Sequence, residues 1–220
     1  MKKLLLSFCL TIGATITYAQ TYGNGDNTIT LGIAGGSSYA WFNVKAHEQS
    51  YVYTNAEPVF SIGFNADFKI NDYFSIRPAV FYQGKGTELN VTADYVVEDK
   101  YHLHYFEIPV DFIGHWYLGD EGANIFYGGG PFFSFALNGT NQKTVYSDVT
   151  NEKITFGSNG DFKSTDYGVT TVLGYQTSQG FAISGNWEFG LVNILKNSDL
   201  NMGATSAKTG VFYLSMAQSF

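Results

Sequence analysis

The chain has 220 residues, of which 45% are hydrophobic, 17% aromatic and only 14% charged. So little charge is unusual for a soluble domain, which carries roughly 25%, while a mean hydropathy of −0.07 excludes a bundle of membrane helices. A formal net charge of −7 with no Lys/Arg run argues against a nucleic-acid partner.

At the start, Lys2 and Lys3 precede a short apolar stretch, residues 4–16, and Thr17-Tyr18-Ala19 offers small residues for cleavage before Gln20. This reads as a signal peptide, 1–19, leaving one domain over 20–220. The apolar stretch is shorter than the ~20 residues of a spanning helix. Cys9, the one cysteine, lies inside it and follows the bulky Phe8, which disfavours lipidation, so the expectation is a mature chain with no lipid anchor and no cysteine for a disulfide.

From about Thr28 the pattern has a period of two. Ile29, Leu31 and Ile33 share one face. Phe60, Ile62, Phe64 and Phe68 oppose Ser61, Gly63, Asn65 and Asp67; Phe74, Ile76, Val80 and Tyr82 oppose Ser75, Arg77, Ala79 and Gln83. Phe106, Ile108, Val110, Phe112 and Trp116 oppose Tyr105, Glu107, Asp111 and His115. Segments 124–137, 166–176, 181–191 and 209–220 repeat the alternation.

The connections alternate between long (39–57, 85–101, 139–165, 194–208) and short ("IND" at 70–72, "GDEG" at 119–122, "TSQG" at 177–180). That layout predicts an all-β, eight-stranded antiparallel up-and-down transmembrane barrel with short periplasmic turns and long outer loops. A soluble lipocalin-like ligand-binding barrel would alternate in the same way. Three features favour lipid outside: a polar face built of Gly, Ser, Ala, Thr and Asn, not Lys and Glu; the Phe/Tyr-rich apolar face; and aromatic residues near both rims, Tyr39 and Trp41 at one, Tyr73, Trp116 and Tyr117 at the other. Pro78, Pro109 and Pro131 fall inside strands and predict local bulges or partner carbonyls turned to the lumen.

The stretches "FSIRPAVFYQGKG", "YFEIPVDF", "FYGGGPFFSFAL", "DYGVTTVLGY" and "WEFGLVNIL" resemble successive strands of the PorT-like outer-membrane β-barrel family of the Bacteroidetes type, over about residues 28–220. The Y-x-E-I-P and F-G-L-x-N elements carry most of that resemblance. It implies an eight-stranded barrel in a Gram-negative outer membrane and no single activity, with some members linked to secretion.

Seven lumen-facing polar residues, Asp67, Arg77, Glu107, Asp111, His115, Asp166 and Glu188, form the predicted structural network, with Arg77 paired to Glu107. Such clusters also serve acid–base chemistry, but no His-x-Ser pair lies on a strand. His47, His102 and His104 lack the fixed ligand set of a zinc site. The expectation is a closed, non-enzymatic barrel without metal or cofactor, since Phe81, Phe126, Phe132 and Tyr213 also face inward. It would act through its outer loops in envelope structure, binding, or secretion and transport support; the alternatives are an outer-membrane enzyme or the soluble barrel. Expected partners are outer-membrane lipid and lipopolysaccharide, the barrel-assembly machinery, and envelope or secretion-system proteins. Phe212, Leu214, Met216 and Phe220 at the end of the chain form the predicted assembly signal.

Overall fold

A computed structural model describes residues 29–46, 52–92, 96–119, 122–145, 148–158, 160–196 and 204–219. The predicted signal peptide, His47 and Phe220 lie outside them. The strands are β1 (Ile29–Ala46), β2 (Val52–Asn55), β3 (Glu57–Asn71), β4 (Phe74–Thr92), β5 (Val96–Tyr117), β6 (Asn124–Val145), β7 (Asp148–Lys153), β8 (Thr165–Gln176), β9 (Phe181–Gly190) and β10 (Ala204–Ser219). Eight of them close an antiparallel ring, β1-β3-β4-β5-β6-β8-β9-β10, sealed where β10 returns to β1. β2 and β7 prolong the wall where β3 and β8 leave off, pairing with the far ends of β4 and β6.

The apolar face points outward. Phe64, Phe112, Trp116, Phe133, Leu173, Ile183, Leu214 and Met216 are all exposed. In water such a belt would be a large adhesive patch; around a closed barrel it is the lipid-facing surface. The soluble-barrel alternative, which needs its apolar face inside, is therefore overturned. Tyr73 and Trp116 are exposed at the turn end and Tyr39 toward the other. Tyr117 departs from the predicted girdle: it shares the inward parity of His115, with ring centroids 6.3 Å apart.

The predicted long loops are largely strand. β5 and β6 have 22 residues each and β4 has 19, about twice the 9–11 needed to cross a bilayer. Only 93–95 separate β4 from β5. The alternation continues through these extensions with its polarity reversed. On β5 the inward side reads Tyr101, Leu103, Tyr105 and then Glu107 and Asp111. The outward side reads Lys100, His102, His104 and then Phe106, Ile108 and Val110. Beyond the lipid belt the barrel has the inside-out logic of a water-soluble protein.

The inward residues of that extension form an apolar core: Phe42, Leu89, Tyr101, Leu103 and Tyr105, joined by Ile154, Phe162, Ile194 and Leu195 from the connections after β7 and β9. Part of the predicted loop 139–165 thus folds into the barrel mouth. Phe162 is held there by Asp161 and Phe162 amides donating to the Thr155 carbonyl and by a bridge to Leu195.

The three prolines produce no bulge. Pairing lapses for two residue pairs beside each, between Asn65↔Ala79 and Phe68↔Ile76, Pro78↔Val110 and Phe81↔Glu107, and Pro109↔Phe132 and Phe112↔Gly129. The register resumes unshifted each time, because proline removes a donor without adding a residue to its strand.

Candidate functional site: the barrel lumen

The lumen is organised in levels. Nearest the apolar core, Lys85 on β4 stands among three carboxylates from three strands: Glu107 at 2.8 Å, Asp166 at 3.1 Å and Glu188 at 3.7 Å, all essentially buried. Alternation along β4, β5, β8 and β9 aims all four side chains inward. Ser134 donates to Glu107 (2.6 Å) and Thr209 to Asp166 (2.7 Å). The ammonium also lies 4.2 Å from the Phe132 ring centroid and 5.3 Å from that of Tyr105, favourable cation–π distances.

Below it, toward the turns, come Phe81, Phe126, Phe132 and Tyr213, all buried. The next level holds Arg77, which binds Asp67 through Nε (2.7 Å) and Nη2 (2.6 Å) and lies 4.9 Å above the Phe126 ring. Asp111, Arg77's cross-strand neighbour, accepts a hydrogen bond from Thr170. Arg77, Asp111, Ser184 and Ser215 line a cavity of about 50 Å³.

At the turn end, His115 Nε2 meets Ser75 Oγ at 2.9 Å and its Nδ1 meets Asn124 Oδ1 at 3.1 Å. These groups line a chamber of about 110 Å³ with Asp67, Gln176 and Ser219. The Asn124 amide NH₂ donates to the Gly122 carbonyl at 3.4 Å, turning Oδ1 toward the imidazole. With Oδ1 so placed, the tautomer that fits has Nδ1 donating to it and Nε2 accepting from the serine.

All seven residues singled out from the sequence are on inward-facing positions, but they do not form one network. The predicted Arg77–Glu107 pair does not exist. Register sets Arg77 opposite Asp111 and Phe81 opposite Glu107, four residues apart along the strand. Arg77 pairs with Asp67 and Glu107 with Lys85. Lys85 was missed because it falls at the start of a predicted loop. Extending the inward parity Ser75, Arg77, Ala79, Phe81, Gln83 by one step would have found it.

His102 and His104 point outward, His102 3.6 Å from Glu57 and His104 stacked on Tyr82. No group of metal-ligating side chains with a site's geometry occurs among the described residues. Leu214 and Met216 face outward and Ser215 is buried; Phe212 packs on Trp187 with centroids 5.0 Å apart. Gln218, polar on the outward face, donates to the Gln179 carbonyl at 3.0 Å.

No curated protein matches the chain. Among solved structures, the outer membrane protein OprG from Pseudomonas aeruginosa aligns over 89% of this chain and 98% of its own, at 10% identity and a TM-score of 0.50. Ail, the attachment invasion locus protein of Yersinia pestis, aligns over 87% and 98% at 10% identity (TM-score 0.41), and Neisserial surface protein A over 86% and 97% at 11% identity (TM-score 0.41). At such identities the OprG likeness bears on fold alone. The family described as outer membrane protein beta-barrel domain matches residues 18–196. With its closed ring, lipid-facing belt and filled polar lumen, the chain belongs to that family and is an outer-membrane β-barrel.

Proposed function

We propose that this is a closed, non-enzymatic barrel of the PorT-like type that acts through the part standing outside the bilayer, in envelope structure, binding, or support of secretion and transport. One observation carries this reading: the lumen is occupied twice over, by the Lys85 cluster and by the apolar core above it. A planar-bilayer recording tests it. The expected result is no stable conductance, and a large persistent one overturns it.

The outer surface supports the same reading. β4, β5 and β6 carry β2 and β7 as flanking strands, and every residue of β7 is exposed. A rigid wall of this kind is a natural binding platform. Lipopolysaccharide, outer-membrane lipid and envelope or secretion-system proteins are the proposed contacts, and recovery of the same envelope proteins from native membranes with the intact barrel, but not with a β6–β7 hairpin deletion, is the expected outcome. Biogenesis is proposed to use cleavage before Gln20 and recognition of Phe212, Leu214, Met216 and Phe220 by the assembly machinery. Deleting Phe220 then lowers the heat-resistant folded band on gels.

A second reading rests on Ser75, His115 and Asn124. Their hydrogen-bond order is that of nucleophile, base and orienting group, in the tautomer a general base requires. Covalent labelling by a fluorophosphonate, lost in Ser75→Ala, would favour an outer-membrane hydrolase; an unlabelled protein leaves the chain of bonds a structural one.

A further inference from the structure

The ring is sealed where β1 meets β10, and beyond the lipid belt the outer face of that seam carries two lysines. The inward positions are Ala40 and Phe42 on β1 and Ala207, Thr209 and Val211 on β10, all buried. Alternation therefore turns Trp41, Asn43 and Lys45 on β1 and Ser206, Lys208 and Gly210 on β10 outward. Register sets Asn43 opposite Lys208 and Lys45 opposite Ser206. The four side chains make a checkerboard, with lysines on one diagonal and a hydroxyl and an amide on the other. Both lysines are exposed, and neither ammonium has an acidic partner among the described residues.

Lys100, on the opposite wall, is placed differently: Glu98 lies at 2.7 Å and Glu88 at 3.5 Å. Diagonal neighbours on one face of a sheet stand about 7–8 Å apart. Two ammonium groups so placed repel each other, yet both reach an anion held between them. The positive rim continues past β10. The Ile194 amide donates to the Ala207 carbonyl and the Lys163 amide to the Ile194 carbonyl, which brings the exposed Lys196 and Lys163 onto the next two segments. Asp161, whose carbonyl accepts from the Lys196 amide, has its carboxylate committed to the Thr155 amide and hydroxyl.

The surface beneath the lysines is suited to acyl chains. The Trp41 indole lies across Gly210, in the space a side chain there would take. One step lower Tyr39 is opposite Phe212, which packs on Trp187. Below these the exposed Leu31, Leu214 and Met216 belong to the lipid belt. Tryptophan and tyrosine at the edge of such a belt mark the headgroup level. We propose that this seam holds the phosphate of an outer-leaflet lipid, the lipid A phosphate of lipopolysaccharide, between Lys45 and Lys208. Ser206 and the Asn43 amide donate to the remaining phosphate oxygens, and the acyl chains run down the belt past Trp41 and Tyr39. A free phosphate ion would leave that lower half unused. The site gives the lipopolysaccharide contact proposed above a place on the barrel, and it rests on that reading.

Native mass spectrometry of the mature barrel, loaded with diphosphoryl lipid A in a neutral detergent, tests the site. Wild type should retain lipid A. The Lys45→Gln/Lys208→Gln double variant should retain about tenfold less, each single variant an intermediate amount, and Lys100→Gln as much as wild type. Lipid A stripped of its phosphates should be held no better by wild type than by the double variant. Equal retention of diphosphoryl lipid A by wild type and the double variant overturns the site and leaves the lipopolysaccharide contact to another surface; no retention by wild type overturns both. A loss in Lys100→Gln as large as in the double variant would reduce the effect to general attraction between charges, and the site would fail. Displacement of lipid A by inorganic phosphate at equal concentration would mean that the lysines take the free ion, and the lipid assignment would fail. The heat-resistant band on gels reports folding of each variant, and if the double variant does not fold, the two single variants decide.

Discussion

The two ends of the lumen are built on opposite principles, although the same strands run through both. At the turn end, ionic and hydroxyl groups line small cavities, and Arg77 and Asp67 remain partly exposed at 16% and 17%. At the far end, Phe42, Leu103, Phe162 and Ile194 pack in one apolar cluster. The Lys85 cluster lies at the boundary and combines both surroundings: ionisable groups from four strands, all buried. A polar lumen can be repaired by water when one group is lost; a dry one cannot.

That contrast ranks the expected effects of substitution. Lys85→Met should be the most damaging, costing about 4 kcal/mol, because it leaves three buried carboxyl groups with no cation; denaturant unfolding in detergent would measure it, and a loss below about 1 kcal/mol would mean that the cluster is hydrated after all. Leu103→Ala should follow at about 3 kcal/mol through the cavity it opens, with faster proteolysis within 154–164 as a second readout. Asp67→Asn should cost only about 1 kcal/mol, since Arg77 keeps Asp111 nearby and water can reach the site; an effect as large as that of Lys85→Met would erase the distinction between the two levels. Lys100→Gln, which removes partly exposed ion pairs with Glu98 at 2.7 Å and Glu88 at 3.5 Å, should change stability by no more than about 0.5 kcal/mol and serves as the baseline.

The boundary also marks where sequence reading stopped working. The lipid-spanning portion was legible because alternation there has one meaning, apolar out and polar in, and its Phe- and Tyr-rich face is long enough to recognise. Past Gln83 on β4 and before Tyr105 on β5 the alternation persists but its polarity reverses, so that Leu89, Tyr101 and Leu103 look like scattered apolar residues in a charged loop. A period of two carries no label for inside and outside. Individual lumenal residues could be placed by parity, which needs only counting along one strand. Their partners could not, because pairing depends on the stagger between neighbouring strands, and that is what moved Glu107 from Arg77 to Lys85.

The three prolines leave a staircase of missing backbone pairs across β3, β4, β5 and β6, stepping by two residues at each strand. Every step lies in the polar half of the barrel, beside Asp67, Arg77 and Asp111, and none crosses the apolar core. The wall thus has a crease on one side only. Amide hydrogen exchange along it should be the fastest of any ring segment within the belt. If bilayer thickness changes, this line of missing pairs is where the wall should yield first, with the wet end flattening before the dry end.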